Sequence, residues 1–110
     1  MVIRLETRGR VSGHPVEVAL GYVEEPDGSL LVAAGTEGAD WARNLDADPA
    51  CRVALGEASW DARAQPLGDR EAGRAVKELI LRYGTPAERL GRGPAFRLAR
   101  VESARARAAG

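Results

Sequence analysis

Apolar and polar positions alternate from Val2 to Thr7, with Ile3, Leu5 and Thr7 on one face and Arg4, Glu6 and Arg8 on the other. A period of two residues is that of a half-buried strand. Gly9-Arg10-Val11-Ser12-Gly13 follows as a glycine-flanked turn. The alternation resumes from Val16 to Val23, with Val16, Val18, Leu20 and Tyr22 on one side. Glu25-Pro26-Asp27-Gly28 carries turn chemistry, and Ser29 to Ala34 is a short apolar run suited to a strand buried on both faces. Turn chemistry between two strand patterns predicts a hairpin.

The period then changes. Gly38 to Ala47 reads as a short helix stopped near Pro49, with Trp41, Asn44 and Leu45 sharing a face by three-and-four spacing. Cys51 to Leu55 is again a strand, turned by Gly56. Ser59 to Leu67 alternates once more, with Trp60, Ala62, Ala64 and Pro66 on one face. Asp69 is placed to cap a longer helix, and Glu71 sits in its first turn, where a carboxylate suits the dipole. Ala72, Ala75, Val76, Leu79, Ile80 and Tyr83 form its apolar stripe, and Gly84 with Pro86 ends it. Pro94 to Val101 reads as a last strand.

These elements predict a mainly β fold: a small antiparallel split β-barrel of about six strands, with one short and one longer α-helix. Closing the sheet removes the exposed edges of short strands. A doubly wound parallel sheet needs helices between most strands, and this pattern lacks them. Residues 1–102 are expected to form one domain, with residues 103–110 as a mobile tail that has little to bury.

The chain has 110 residues, enough for one core. Its 16 basic and 16 acidic residues cancel, so the expectation is no general attraction to nucleic acid. Any anion site must come from local geometry. A single cysteine, Cys51, excludes an internal disulfide, and a single histidine, His14, excludes a histidine-rich metal site; the expected metal set is none. No apolar run approaches the roughly 20 residues of a membrane helix, and the N-terminus has no signal-peptide layout. The expected location is cytoplasmic, with no integral membrane segment.

Two segments carry candidate chemistry. In Gly9 to Gly13 the glycines let the backbone turn tightly, Arg10 offers charge-assisted donors, and Ser12 adds a hydroxyl. Together they form a candidate phosphate-binding turn. The plainer alternative is a hairpin loop with a solvated arginine. In the second segment, Ala33-Ala34-Gly35-Thr36 ends a strand in small residues and leaves space for a planar ligand. Trp41 could wall that space and Asn44 could hydrogen-bond within it. The alternative makes Trp41 a core plug and Asn44 a partner of neighbouring backbone. His14 and Cys51 read as a turn residue and an inert buried thiol. No serine–histidine–acid arrangement and no general acid or base stands out, so an enzyme of this sequence would rely on a cofactor.

Leu5-Glu6-Thr7-Arg8-Gly9-Arg10-Val11-Ser12-Gly13-His14-Pro15 resembles the opening strand and turn of the deazaflavin-dependent nitroreductase family. Leu31 to Gly35, followed by Trp41-Ala42-Arg43-Asn44-Leu45-Asp46-Ala47-Asp48-Pro49, resembles that family's second motif. The resemblance covers about residues 3 to 67. It implies the split β-barrel of flavin-binding oxidases and the coenzyme F420, a hydride carrier with a phosphate and an oligoglutamate tail. It implies that Arg10, Ser12 and Gly13 bind the phosphate region, that Gly35 and Thr36 lie near the deazaflavin ring, and that Trp41 and Asn44 help form its pocket. It also implies a small-molecule electron acceptor, a quinone or nitro compound, and a possible homodimer. Relatives carry lysine where this chain has Val11, further basic residues at His14 and Val16, and a serine at Gly35. Those departures keep open FMN as the cofactor, or a barrel that holds flavin, haem or lipid without turnover, or a purely structural domain.

Overall fold

A computed structural model describes residues 2–84 and 93–101. Pro86 and the tail 103–110, both assigned roles above, lie outside the described residues. The strands are β1 (Ile3–Arg8), β2 (Pro15–Leu20), β3 (Val23–Glu24), β4 (Leu30–Ala33), β5 (Ala50–Leu55), β6 (Ala58–Pro66) and β7 (Ala95–Arg100). The helices are α1 (Asp40–Ala47) and α2 (Asp69–Tyr83). One antiparallel sheet runs in the order β2-β1-β5-β6-β7-β4-β3.

The two outermost strands of that sheet, β2 and β3, are consecutive in the chain and separated only by Gly21 and Tyr22. Three Cα steps span at most about 11 Å. The sheet must therefore curl until its edges nearly meet, and this makes the split barrel. The pattern from Val16 to Val23, expected as one strand, is broken at Gly21 and supplies both edges. That break raises the expected six or so strands to seven. The expected hairpin forms, but only as the two pairs Val23↔Leu31 and Glu24↔Leu30. β2 pairs instead with β1, from Ile3↔Leu20 to Arg8↔Pro15.

The alternation in β1 points Ile3, Leu5 and Thr7 into the barrel, all at most 1% exposed. All four residues of β4 are buried, as its unbroken apolar run requires. Leu30 and Val32 join Phe96, Leu98, Trp41 and Val53 inside the barrel. Leu31 and Ala33 face outward beneath Ala75 and Leu79 of α2. The helix thus covers the apolar outward faces of β3 and β4, where Val23 joins Leu31 and Ala33. Burying Phe96 alone stabilises the fold by about 1.5–3 kcal/mol.

Asp69 does not cap α2 as expected. Gly68 is the N-cap and makes no side-chain bond, while Asp69 and Glu71 lie in the first turn and favour the dipole from there. At the other end Gly84 closes the helix with φ 80° and donates its N–H to the Ile80 carbonyl. Tyr83, expected only as core, also acts at the seam. Its hydroxyl accepts the Tyr22 N–H at 3.1 Å and donates to the Tyr22 carbonyl at 3.4 Å. A Cβ on Gly21 would stand 3.0 Å from the Tyr83 ring, so glycine is what lets the ring lie there. Outside the sheet, Glu25 pairs with Arg74 at 2.5 Å, and Arg97 pairs with Glu71 at 2.7 Å. These ties join the β3–β4 turn and β7 to α2.

Candidate functional site

The strand register sets the ends of β1, β4 and β6 and the starts of β5 and β7 at one end of the barrel. That end carries the turn 9–13, the loop 34–39 and α1. The two segments singled out in the sequence are therefore neighbours in the fold.

The turn is built by its own backbone. Gly9 donates to the His14 carbonyl and Gly13 to the Gly9 carbonyl, each at 2.8 Å. Gly13 has φ 75°, a conformation costly for any residue with a Cβ. The Ser12 hydroxyl oxygen accepts the His14 N–H at 3.1 Å and keeps its own O–H free to donate.

Arg10 ties the turn to α1. Its backbone N–H and its Nη1 both donate to Asn44 Oδ1, at 3.2 and 2.7 Å. Asn44, 2% exposed, spends its own amide N–H on Thr7 Oγ1 at 3.1 Å. A polar side chain this deep must be satisfied, and here both ends of the amide are. Nη1 of Arg10 also reaches the Asp40 carbonyl at 3.3 Å, and Nη2 the Asp40 carboxylate at 3.1 Å. Arg10, Ser12 and Asn44 meet around a cleft of about 230 Å³, with Gly9, Val11, Val16 and Asp40 completing it.

The remaining candidates lie nearby in different settings. Gly13 lines an adjoining cleft of about 360 Å³ with Arg8, Arg52 and Cys51. Gly35 and Thr36 stand in the loop after β4, where Thr36 is exposed and Gly35 half-buried. That loop is braced by Ala34 donating to the Pro94 carbonyl at 2.9 Å, and by Gly93, which lies hard against the Thr36 backbone. Trp41 is 8% exposed and meets Phe96 edge-on at 6.0 Å between ring centres. It backs the site from the core, with its ring mass inside the barrel. His14 is exposed. Burial raises the Cys51 thiol pKa to about 11, so it stays protonated and unreactive near neutrality.

Thr7 and Asp40 belong to this arrangement and were not singled out in the sequence. Thr7 left a signal: it is the polar residue on an otherwise apolar strand face, and such a residue demands a partner. Asp40 left none beyond standing beside Trp41. A larger cleft of about 450 Å³ opens at the opposite end of the barrel, where the Arg100 guanidinium lies 4.3 Å over the Trp60 ring. Among the described residues no group of histidine, cysteine and carboxylate side chains is placed to hold a metal ion. No helix among them is long and apolar enough to cross a membrane.

Solved structures share this architecture. The F420-H2 dependent reductase FDR-A is 27% identical with a TM-score of 0.71, over 88% of this chain and 92% of that one. Atu2129 of Agrobacterium tumefaciens, described as of unknown function, is also 27% identical with a TM-score of 0.74. That match covers 90% of this chain, which spans 48% of the Agrobacterium protein. The haem storage protein HutZ of Vibrio cholerae has a TM-score of 0.73 over 93% of this chain and 82% of its own; at 20% identity it shows the fold alone. No curated protein sequence matches the chain significantly. The family model described as F420H(2)-dependent quinone reductase matches residues 1–89, and the chain belongs to that family.

Proposed function

We propose that this protein is a deazaflavin-dependent oxidoreductase that passes a hydride from reduced coenzyme F420 to a small organic acceptor of the quinone or nitro class. The observation that carries the reading is the fixed guanidinium of Arg10, held by buried Asn44 at the rim of a cleft at the same end of the barrel as the small-residue end of β4. An anionic coenzyme needs cationic and N–H donors at its phosphate and a flat, uncrowded surface at its ring. The donor set here matches that need. Arg10 supplies the cation, Ser12 a free O–H, Gly13 close-approaching backbone, and Gly35 and Thr36 a surface almost free of side chains.

When bound, the coenzyme supplies the hydride. The chain's own part is to bind, orient and exclude water. Asn44 and Thr7 hold the turn rigid, so Arg10 meets an anion already ordered. Trp41 keeps the floor of the site dry. Of the side chains that line the cleft, Ser12 and Asp40 are read as anion-binding and charge-balancing groups, and the redox chemistry would be the cofactor's.

The working form is a homodimer in this reading. Val11 is 94% exposed and Val16 40% exposed beside the same turn, and β2 presents an unpaired edge. A second copy would cover both. Cytoplasmic location follows from the need for reduced coenzyme.

The test is a titration with F420, FMN, FAD and haem, read by quenching of Trp41 and Trp60 fluorescence. Saturable quenching by F420 is expected, together with return of the oxidised deazaflavin absorbance when a quinone is added to protein and reduced coenzyme. Arg10→Ala should weaken F420 by about 1–3 kcal/mol through loss of a charged hydrogen bond. A preference for haem, or no response to F420, overturns the reading.

A further inference from the structure

The guanidinium of Arg10 has two partners of opposite character. Asn44 Oδ1 grips Nη1 at 2.7 Å from a position 2% exposed. Asn44 is itself held in place, by its amide N–H to Thr7, 1% exposed, and by the Arg10 backbone N–H at 3.2 Å on the same Oδ1, so this partner of the guanidinium is fixed. Asp40 Oδ1 grips Nη2 at 3.1 Å, but its side chain is 81% exposed. An ion pair with one partner in bulk water contributes little and exchanges readily. The carboxylate can swing into solvent and recover its hydration, while Nη1 stays fixed.

We propose that Asp40 is an internal stand-in for the ligand's oxyanion. It occupies the Nη2 position of Arg10 in the free protein and is displaced when a phosphate or carboxylate oxygen arrives. The inference rests on the reading of Arg10 as the anion-binding residue, and it adds a residue that sets affinity and specificity. The site is thereby kept electrically satisfied when empty. A weak anion must compete with a carboxylate at high effective concentration, whereas a ligand with further contacts along the cleft displaces it. Adding an anion to the pair leaves Asp40 as a like charge close by. The cost of binding is then highest at low salt, where that repulsion is least screened. Asp40 also stands in the first turn of α1, whose N-cap Ala39 makes no side-chain bond.

The experiment uses inorganic phosphate as the probe and the intact chain, followed by the amide signals of Arg10 and the side-chain amide of Asn44 in NMR titrations. Asp40→Asn keeps the shape and removes the charge, and a urea melt checks that it stays folded. At about 0.01 M ionic strength, phosphate should bind Asp40→Asn about two- to fivefold more tightly than the unmodified chain. At about 1 M, where screening reaches about 3 Å, the difference should vanish. Asp40→Glu, which keeps the charge, should stay within twofold or so of the unmodified chain at both salts. Equal affinity for Asp40→Asn at low salt overturns the proposal, and so does weaker binding, which would make Asp40 a supporting group. Arg10→Ala separates the two levels. Lost phosphate binding there, with Asp40→Asn unchanged, defeats the stand-in alone. Phosphate binding that survives Arg10→Ala defeats the reading of Arg10 as well.

Discussion

The Tyr83 hydroxyl accepts the backbone N–H of Tyr22 at 3.1 Å, across 61 positions of the chain. One residue at the end of α2 thereby fastens the two-residue junction that joins the sheet's edges. The Arg82 guanidinium, 4.9 Å over the Tyr22 ring, covers the same junction.

Tyr83→Phe should cost about 1–2 kcal/mol, because it removes the hydroxyl that bonds both the N–H and the carbonyl of Tyr22. Gly21→Ala should cost at least as much, since its Cβ would press on the Tyr83 ring at 3.0 Å. In the double variant the two losses should be less than additive, because a ring pushed away by the new Cβ has already lost its hydroxyl's bonds to Tyr22. Urea melts measure all three, and strict additivity would show that Tyr83 and Gly21 act separately.

Gly93→Ala is expected to displace the loop 34–39, because a Cβ there would collide with the Thr36 carbonyl. The backbone must move for the variant to fold. F420 affinity should therefore fall more than global stability does. Equal affinity in a well-folded variant would remove Gly35 and Thr36 from the coenzyme surface.

Trp41→Ala should destabilise the fold by about 3–5 kcal/mol, as expected for emptying a buried indole site. A loss below about 1 kcal/mol with binding abolished would instead make Trp41 chiefly a ligand contact. The comparison separates two roles that the sequence could not.

Cys51 is raised from the ordinary thiol value of 9.0 to about 11, first by burial and then by the charges of Asp48 and Asp61. The folded state therefore holds its proton more tightly than the unfolded chain. The resulting stability is fully present below pH 9 and is lost as pH rises through 11. Cys51→Ala should flatten that decline in urea melts across the alkaline range. Native protein at neutral pH should resist iodoacetamide until it unfolds.

Much of this fold was legible because the burial of β1 and β4 is written in strict local patterns. Ile3, Leu5 and Thr7 gave the period of two, and Leu30 to Ala33 gave the unbroken run. What the patterns could not give was pairing. The turn at 25–28 suggested that the strands around it belong together, yet the longer one pairs with β1. Only Gly21, an ordinary-looking interruption, marks the change. The candidate site shows a similar boundary. The residues Arg10 and Asn44 were visible as chemistry, but an amide can face ligand or backbone, and its actual engagement with Thr7 and Arg10 depends on contacts 34 and 37 positions away. Tyr83 sits on an apolar stripe and reads as core; its hydroxyl's task at Tyr22 has no local trace.

The sheet order also governs when the molecule can come into being. β4 and β3 join the other strands only through β7, the last strand of the described chain. Until residues 95–100 are available, the other six strands form two pieces with no strand pairing between them: β1, β2, β5 and β6 on one side, β3 and β4 on the other. Leu30, Val32 and Ala33 then lack the partners that β7 supplies, Leu98, Phe96 and Ala95. A ribosome-bound chain that stops short of β7 should expose these apolar residues, and the end of the barrel that carries the turn 9–13 and the loop 34–39 can assemble only once β7 has emerged.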